Sequence, residues 1–128
     1  MAINYKPVKK VNPFNTDNPV KYYSSPVYKD RVSLRKIAKE ISERTTLSTT
    51  DTLAVLEAMT QVLPFFLTNG SIVNLGDFGT FRITLQSRGA DIPGELTPSH
   101  NTGFKLLFRP GKEMTDQLKQ IETRKIDD

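Results

Sequence analysis

The chain has 128 residues, 37% hydrophobic and 25% charged, the length and balance of one ordinary globular domain. It holds no cysteine and one histidine, His100, which excludes disulfides, thiol catalysis and any multi-Cys or multi-His metal site; no apolar run matches a bilayer span or a signal-peptide core, so a cytoplasmic location is expected. The net charge of +4 favours an anionic partner, and it is uneven: residues 1–30 carry five lysines against Asp17 and Asp30, while residues 31–128 carry 13 basic and 12 acidic groups.

In chain order, residues 1–30 are rich in Pro, Lys, Asn and Tyr. Ile3 to Val11 and Val20 to Tyr28 suit extended backbone, and Asn12-Pro13 and Asn18-Pro19 favour turns between them. Tyr22, Tyr23 and Tyr28 make the segment too aromatic for a disordered tail, so it reads as an extension with two short strands, with Tyr22 and Tyr23 packing. Lys6, Lys9 and Lys10 suit a solubilising segment, with a second contact to the anionic partner as the alternative.

Ser33 can cap a helix from Leu34 to about Arg44, where Leu34, Ile37, Ala38 and Ile41 recur at helical spacing. Ser48 and Asp51 resemble a capping box before a second helix, Thr49 to about Thr68. Its apolar stripe is Leu53, Leu56, Met59, Thr60, Leu63 and Leu67, and Pro64 inside it should kink or loosen it. Asn69-Gly70 stops the helix.

Ser71 to Leu75 reads as a strand, Gly76-Asp77 as a turn, and Phe78 to Ser87 as a second strand. Phe81, Ile83 and Leu85 alternate there with Arg82, Thr84 and Gln86, which separates an apolar face from a polar one. Residues 88–102 are rich in Gly, Pro and polar side chains. Gly103 to Phe108 is a third strand, Pro110-Gly111 breaks it, and a last helix from Lys112 to about Ile121 turns Met114, Leu118 and Ile121 inward. Residues 81–112 carry Arg82, Arg88, Lys105, Arg109 and Lys112 against Asp91 and Glu95. Lys105 and Arg109 are an even number apart and can share a strand face; Lys112 sits at a helix start, where free backbone N–H groups also attract phosphate.

The run from Gly70 through Ser-Ile-Val-Asn-Leu-Gly-Asp-Phe-Gly-Thr to Phe81, followed 27 residues later by Phe108-Arg-Pro-Gly-Lys112, resembles the core signature of the HU/IHF family of histone-like DNA-binding proteins. The resemblance covers roughly residues 32–121; the extension and the Phe-Arg-Pro-Gly-Lys form are similar to an HU-like branch of Bacteroidetes. It implies an α+β fold in which two chains interlock into a helical body topped by a three-stranded antiparallel sheet, with a β-ribbon arm protruding from each chain around DNA. It also implies Arg82, Arg88, Pro93, Lys105, Arg109 and Lys112 as DNA-binding residues. Pro93 lies 12 residues after Phe81 and 15 before Phe108, near the place of the family's arm-tip wedge.

Two departures stand out. The family's usual Gly before Phe-Gly-x-Phe is one place earlier here, at Gly76, with Asp77 following. The usual Arg-Asn-Pro-x-Thr-Gly tip is replaced by Arg88 to Leu96, in which Asp91 and Glu95 flank Pro93 and repel phosphate. Pro93 therefore reads as a turn proline or a wedge. Arg82, Lys105 and Arg109 read as a solvated strand face or, as the resemblance favours, as phosphate contacts. Phe78, Phe81, Phe104 and Phe108 read as core or dimer-interface packing, and His100 as a solvated loop residue. Glu40/Glu43 and Glu113/Asp116 suit exposed helix surface better than acid–base chemistry, and no catalytic set can be assembled.

The expected organisation is an extension over residues 1–30, an HU-like domain over 31–122 and a tail over 123–128. The expected function is architectural: a homodimer that binds and bends double-stranded DNA in the bacterial nucleoid with little sequence preference, without enzymatic activity, cofactor, metal, membrane or small-molecule substrate. The alternative is an HU-fold protein-interaction module that has lost DNA bending.

Overall fold

The computed structural model describes residues 1–10 and 20–126. The turn pairs Asn12-Pro13 and Asn18-Pro19 lie outside the described residues. The described elements are β1 (Ala2–Lys10), β2 (Lys21–Val27), α1 (Leu34–Arg44), α2 (Thr49–Thr68), β3 (Val73–Asn74), β4 (Gly79–Ser87), β5 (Asn101–Pro110), α3 (Lys112–Leu118) and β6 (Glu122–Lys125). Two 3-10 turns, Pro93–Glu95 and Pro98–His100, lie between β4 and β5. The class is α+β, with three helices and two three-stranded sheets among the described residues. The chain divides into two units, Leu34–Asp116 and a second formed by Met1–Ser33 with Gln117–Asp128.

In the larger unit α1 packs on α2. Ala38 is buried and Leu34 and Ile41 are half-buried, but Ile37, placed on the inner face by its spacing, is 40% exposed. The α2 start is capped as its sequence suggests: Ser48 Oγ accepts from Asp51 N at 3.1 Å, and Thr52 Oγ1 donates to Ser48 O at 2.8 Å. The helix runs through Pro64 without interruption, and Thr68 Oγ1 donates to the Pro64 carbonyl at 2.7 Å. It ends at Gly70, whose φ of +90° lets Ser71 N donate back to Phe66 O at 3.1 Å. Leu53, Leu56, Met59, Leu63 and Leu67 form the inward stripe, all half-buried or buried. Thr60 is exposed, which corrects its assignment to that stripe; its hydroxyl donates to Glu57 O at 2.6 Å instead.

The sheet of this unit has the order β3-β4-β5, antiparallel throughout. Two glycines explain why the signature tolerates no side chain at its crossing points. Gly79 has φ +149°, and a Cβ there would lie 2.5 Å from Arg109 O and 2.6 Å from the Phe108 ring. A Cβ on Gly111 would lie 2.5 Å from Asp77 O. The turn at Gly76-Asp77 and the break at Pro110-Gly111 are thus pressed backbone to backbone, tied by Gly111 N to Phe78 O at 2.9 Å and Glu113 N to Asp77 O at 3.2 Å. Gly79→Ala is expected to cost roughly 3 kcal/mol, since backbone strain adds to a collision with a carbonyl that cannot yield. Thermal denaturation checks it, as a lowering of Tm by about 10 °C or more.

In the smaller unit the order is β2-β1-β6. β1 and β2 pair antiparallel from Asn4↔Val27 to Lys10↔Lys21, close to the expected strands. β6 pairs parallel to β1 from Ala2↔Glu122 to Tyr5↔Lys125. Pro7 is tolerated in the middle strand because β6 ends its pairing at Tyr5, leaving that edge of β1 open beyond it, and Pro26 lies on the edge strand β2. The last helix is shorter than expected: it ends at Leu118, Gln120 N donates to Gln117 O, and Glu122 N and Ile126 N donate to Met1 O and Tyr5 O. Leu118, expected to face inward, is 52% exposed.

Candidate functional site

The β4–β5 register decides which side chains share a face. Directly opposed pairs point the same way, and Thr80↔Arg109, Arg82↔Leu107 and Thr84↔Lys105 alternate with Phe81↔Phe108, Ile83↔Leu106 and Leu85↔Phe104. One face of the hairpin therefore carries Arg82, Lys105 and Arg109 with Thr80, Thr84 and Leu107. The other is wholly apolar. Arg82 is half-buried, while Lys105 and Arg109 are exposed. The three cations converge because Arg82 sits diagonally between Lys105 and Arg109 on the facing strand.

The remaining candidates lie elsewhere. Arg88 is beyond the end of β4, at the hairpin tip, where its guanidinium donates to Ser99 O at 3.2 Å and its backbone N to His100 O at 2.8 Å. Pro93 opens the first 3-10 turn of the tip, between Asp91 and Glu95, with Ile92 and Leu96 more than half exposed beside it. Lys112 is exposed at the start of α3. The helix-start argument for it does not hold: α3 has seven residues, and the flanking Gly111 N and Glu113 N already donate to Phe78 O and Asp77 O. Lys112 can attract phosphate by its own charge only.

His100 corrects the expectation of a solvated loop residue. It is half-buried, and its Nδ1 accepts from Thr97 N at 3.1 Å, closing a capping box around the second 3-10 turn. The signal was present in Thr97-Pro98-Ser99-His100, a capping residue followed by Pro at the first helical position, with His in the usual Glu place.

On the opposite face the aromatic cluster is partly covered at the root, with Phe78 49% and Phe108 37% exposed, and more open toward the tip. Phe78, Phe81 and Phe108 pack with ring centroids 4.8 to 6.4 Å apart. Leu85, Phe104 and Leu106 are 59%, 72% and 61% exposed. Leu85 and Phe104 border a groove of about 550 Å³ that Leu67, Thr68, Gly70 and Ile83 also line. α2 adds a second apolar stripe, Val55, Val62, Phe65 and Phe66, at helical spacing and exposed. Among the described residues the only buried apolar side chains are Ala38 and Leu67.

A family model described as an HU domain fused to wHTH, Ig, or a glycine-rich motif, HU-HIG, matches residues 1–125. No curated protein matches the sequence. Among solved structures, a chain from Bacteroides vulgatus ATCC 8482, described provisionally as a bacterial DNA binding protein, is similar with a TM-score of 0.65 and 16% identity. The likeness covers 98% of this chain and 48% of that one, so this chain spans about half its length. At that identity the likeness is one of fold.

Proposed function

We propose a duplex-DNA-binding function, and the premise is that this chain belongs to the HU-HIG family, whose members carry an HU domain fused to further motifs. The observation that carries the proposal is the β4–β5 register, which gathers Arg82, Lys105 and Arg109 on one face of a hairpin and keeps that face free of carboxylates. In this reading two chains interlock through the apolar faces of α2 and the hairpin, and each hairpin extends as a ribbon arm along DNA. Arg82, Lys105 and Arg109 neutralise phosphates, Lys112 and Arg88 add charge at the root and tip, and Pro93 with Ile92 meets the groove. Phosphate contacts carry little sequence information, so the protein selects deformable DNA over particular bases and stabilises a bend. The role is architectural and non-enzymatic, in the bacterial nucleoid.

One observation favours a second reading. Leu34–Asp116 holds nine basic and nine acidic side chains, with Asp91 and Glu95 beside Pro93. An HU-fold interaction module that binds protein and no longer bends DNA would have this balance. Gel shifts with several unrelated duplexes, with retention on heparin, separate the two. Shifts of similar strength on every duplex, weakening with salt, are expected. The absence of any shift at low salt would leave the interaction module.

A further inference from the structure

The units of the chain divide its charge sharply. Met1–Ser33 with Gln117–Asp128 holds nine basic side chains against five acidic ones, whereas Leu34–Asp116 holds nine of each, so the entire +4 belongs to the smaller unit. The registers then concentrate part of it on one sheet face. Lys6, Lys10 and Lys21 share that face with Tyr23, and Asn4↔Arg124 and Ala2↔Glu122 bring Arg124 and Glu122 to the same side, so the face holds four cations against one carboxylate. The contact of Lys10 Nζ with the Tyr23 ring, 5.3 Å from its centroid, agrees with this placement. All four cations are exposed, and none is ion-paired with a described residue.

Lys10 and Lys21 are directly opposed across the ladder, an arrangement of like charges that disfavours the pair until an anion lies over it. Lys6 and Lys10 are separated by about 13 Å of strand, enough to reach different phosphates along one strand of a duplex. The face offers no apolar stripe to insert into a bilayer, Tyr23 being its one large exposed apolar side chain, which favours a phosphate rail over a lipid surface.

We propose that this sheet face is a second DNA-contacting surface, gripping the duplex backbone through Lys6, Lys10, Lys21 and Arg124 independently of the hairpin. The inference rests on duplex DNA being the partner, and its test separates the two claims. The unaltered protein is compared with a Lys6→Gln, Lys10→Gln, Lys21→Gln variant by fluorescence anisotropy on a random duplex between about 50 and 200 mM salt. The variant is expected to lose at least roughly tenfold in affinity at the higher salt and to flatten the log–log salt slope by about five units, three contacts in each of two chains. The matching Lys→Arg triple variant, which keeps the charge on the same strands, is expected to retain affinity and slope. Unchanged affinity and slope in the Gln variant, with Arg82→Ala/Arg109→Ala abolishing binding, would overturn the second surface and leave the hairpin reading intact. Equal losses in the Gln and Arg variants would also overturn it, because they would report on sheet integrity rather than charge. A Gln variant that loses binding only to phosphatidylserine vesicles would assign the face to lipid and overturn it as well. Absence of duplex binding by the unaltered protein would defeat the DNA reading itself.

Discussion

Phe65→Glu with Phe66→Glu is expected to leave no stable folded species at micromolar concentration. The reason is the distribution of apolar surface in Leu34–Asp116. The second stripe of α2 is solvent-facing in the single chain, with Phe65 62% and Phe66 47% exposed, yet every position in it is apolar. A helix apolar on two sides belongs inside a core, and one chain supplies only one of the two walls. Covering a Phe side chain fully is worth about 1.5–3 kcal/mol, and burying a carboxylate without a partner costs several more. Two such changes per chain approach the whole stability of a small domain, about 5–15 kcal/mol. Light scattering with circular dichroism provides the check. The unaltered protein should scatter at twice its chain mass and the variant should lose helical signal; an unaltered protein that is a folded monomer would remove the basis of the expectation.

The second large effect concerns the hairpin. Arg82→Ala with Arg109→Ala should weaken duplex binding by on the order of tenfold to a hundredfold and lower the salt slope by about three to four units, four contacts over the two chains, to the same extent on every sequence tested. Both side chains lie on the polar face, one on each strand, so truncating them removes the proposed phosphate contacts without touching the Phe78, Phe81 and Phe108 cluster behind. The melting temperature should therefore stay close to that of the unaltered protein. Competition among unrelated duplexes is the measurement, and a loss confined to one sequence would mean that these arginines read bases rather than hold the backbone.

Much of this was legible because alternation and helical spacing are local. The split of β4 into Phe81, Ile83, Leu85 and Arg82, Thr84, Gln86 follows from the two-residue period alone. What periodicity leaves open is register, since a slip of one residue in β5 would send Lys105 and Arg109 to the apolar side. The contacts that hold the register, Gly111 against Asp77 and Gly79 against Arg109, join segments about 30 residues apart and are invisible in any short window. The same holds for β6. Glu-Thr-Arg-Lys has no apolar alternation, and its strand character comes from pairing parallel to β1 at the far end of the chain. Arg124 consequently had no visible place in a charged face. The lysines of the extension were visible as charge but not as a surface, because only the Lys10↔Lys21 register shows which of them stand together.

The most direct test of the central claim, that a cationic hairpin face holds the phosphates of a duplex, is the slope of log affinity against log salt for the unaltered protein on a random-sequence duplex. Each phosphate contact adds about 0.9 to the slope, so Arg82, Lys105 and Arg109 in two chains predict a slope of roughly five or steeper. A flat dependence, with affinity unchanged from low to moderate salt, would contradict the account.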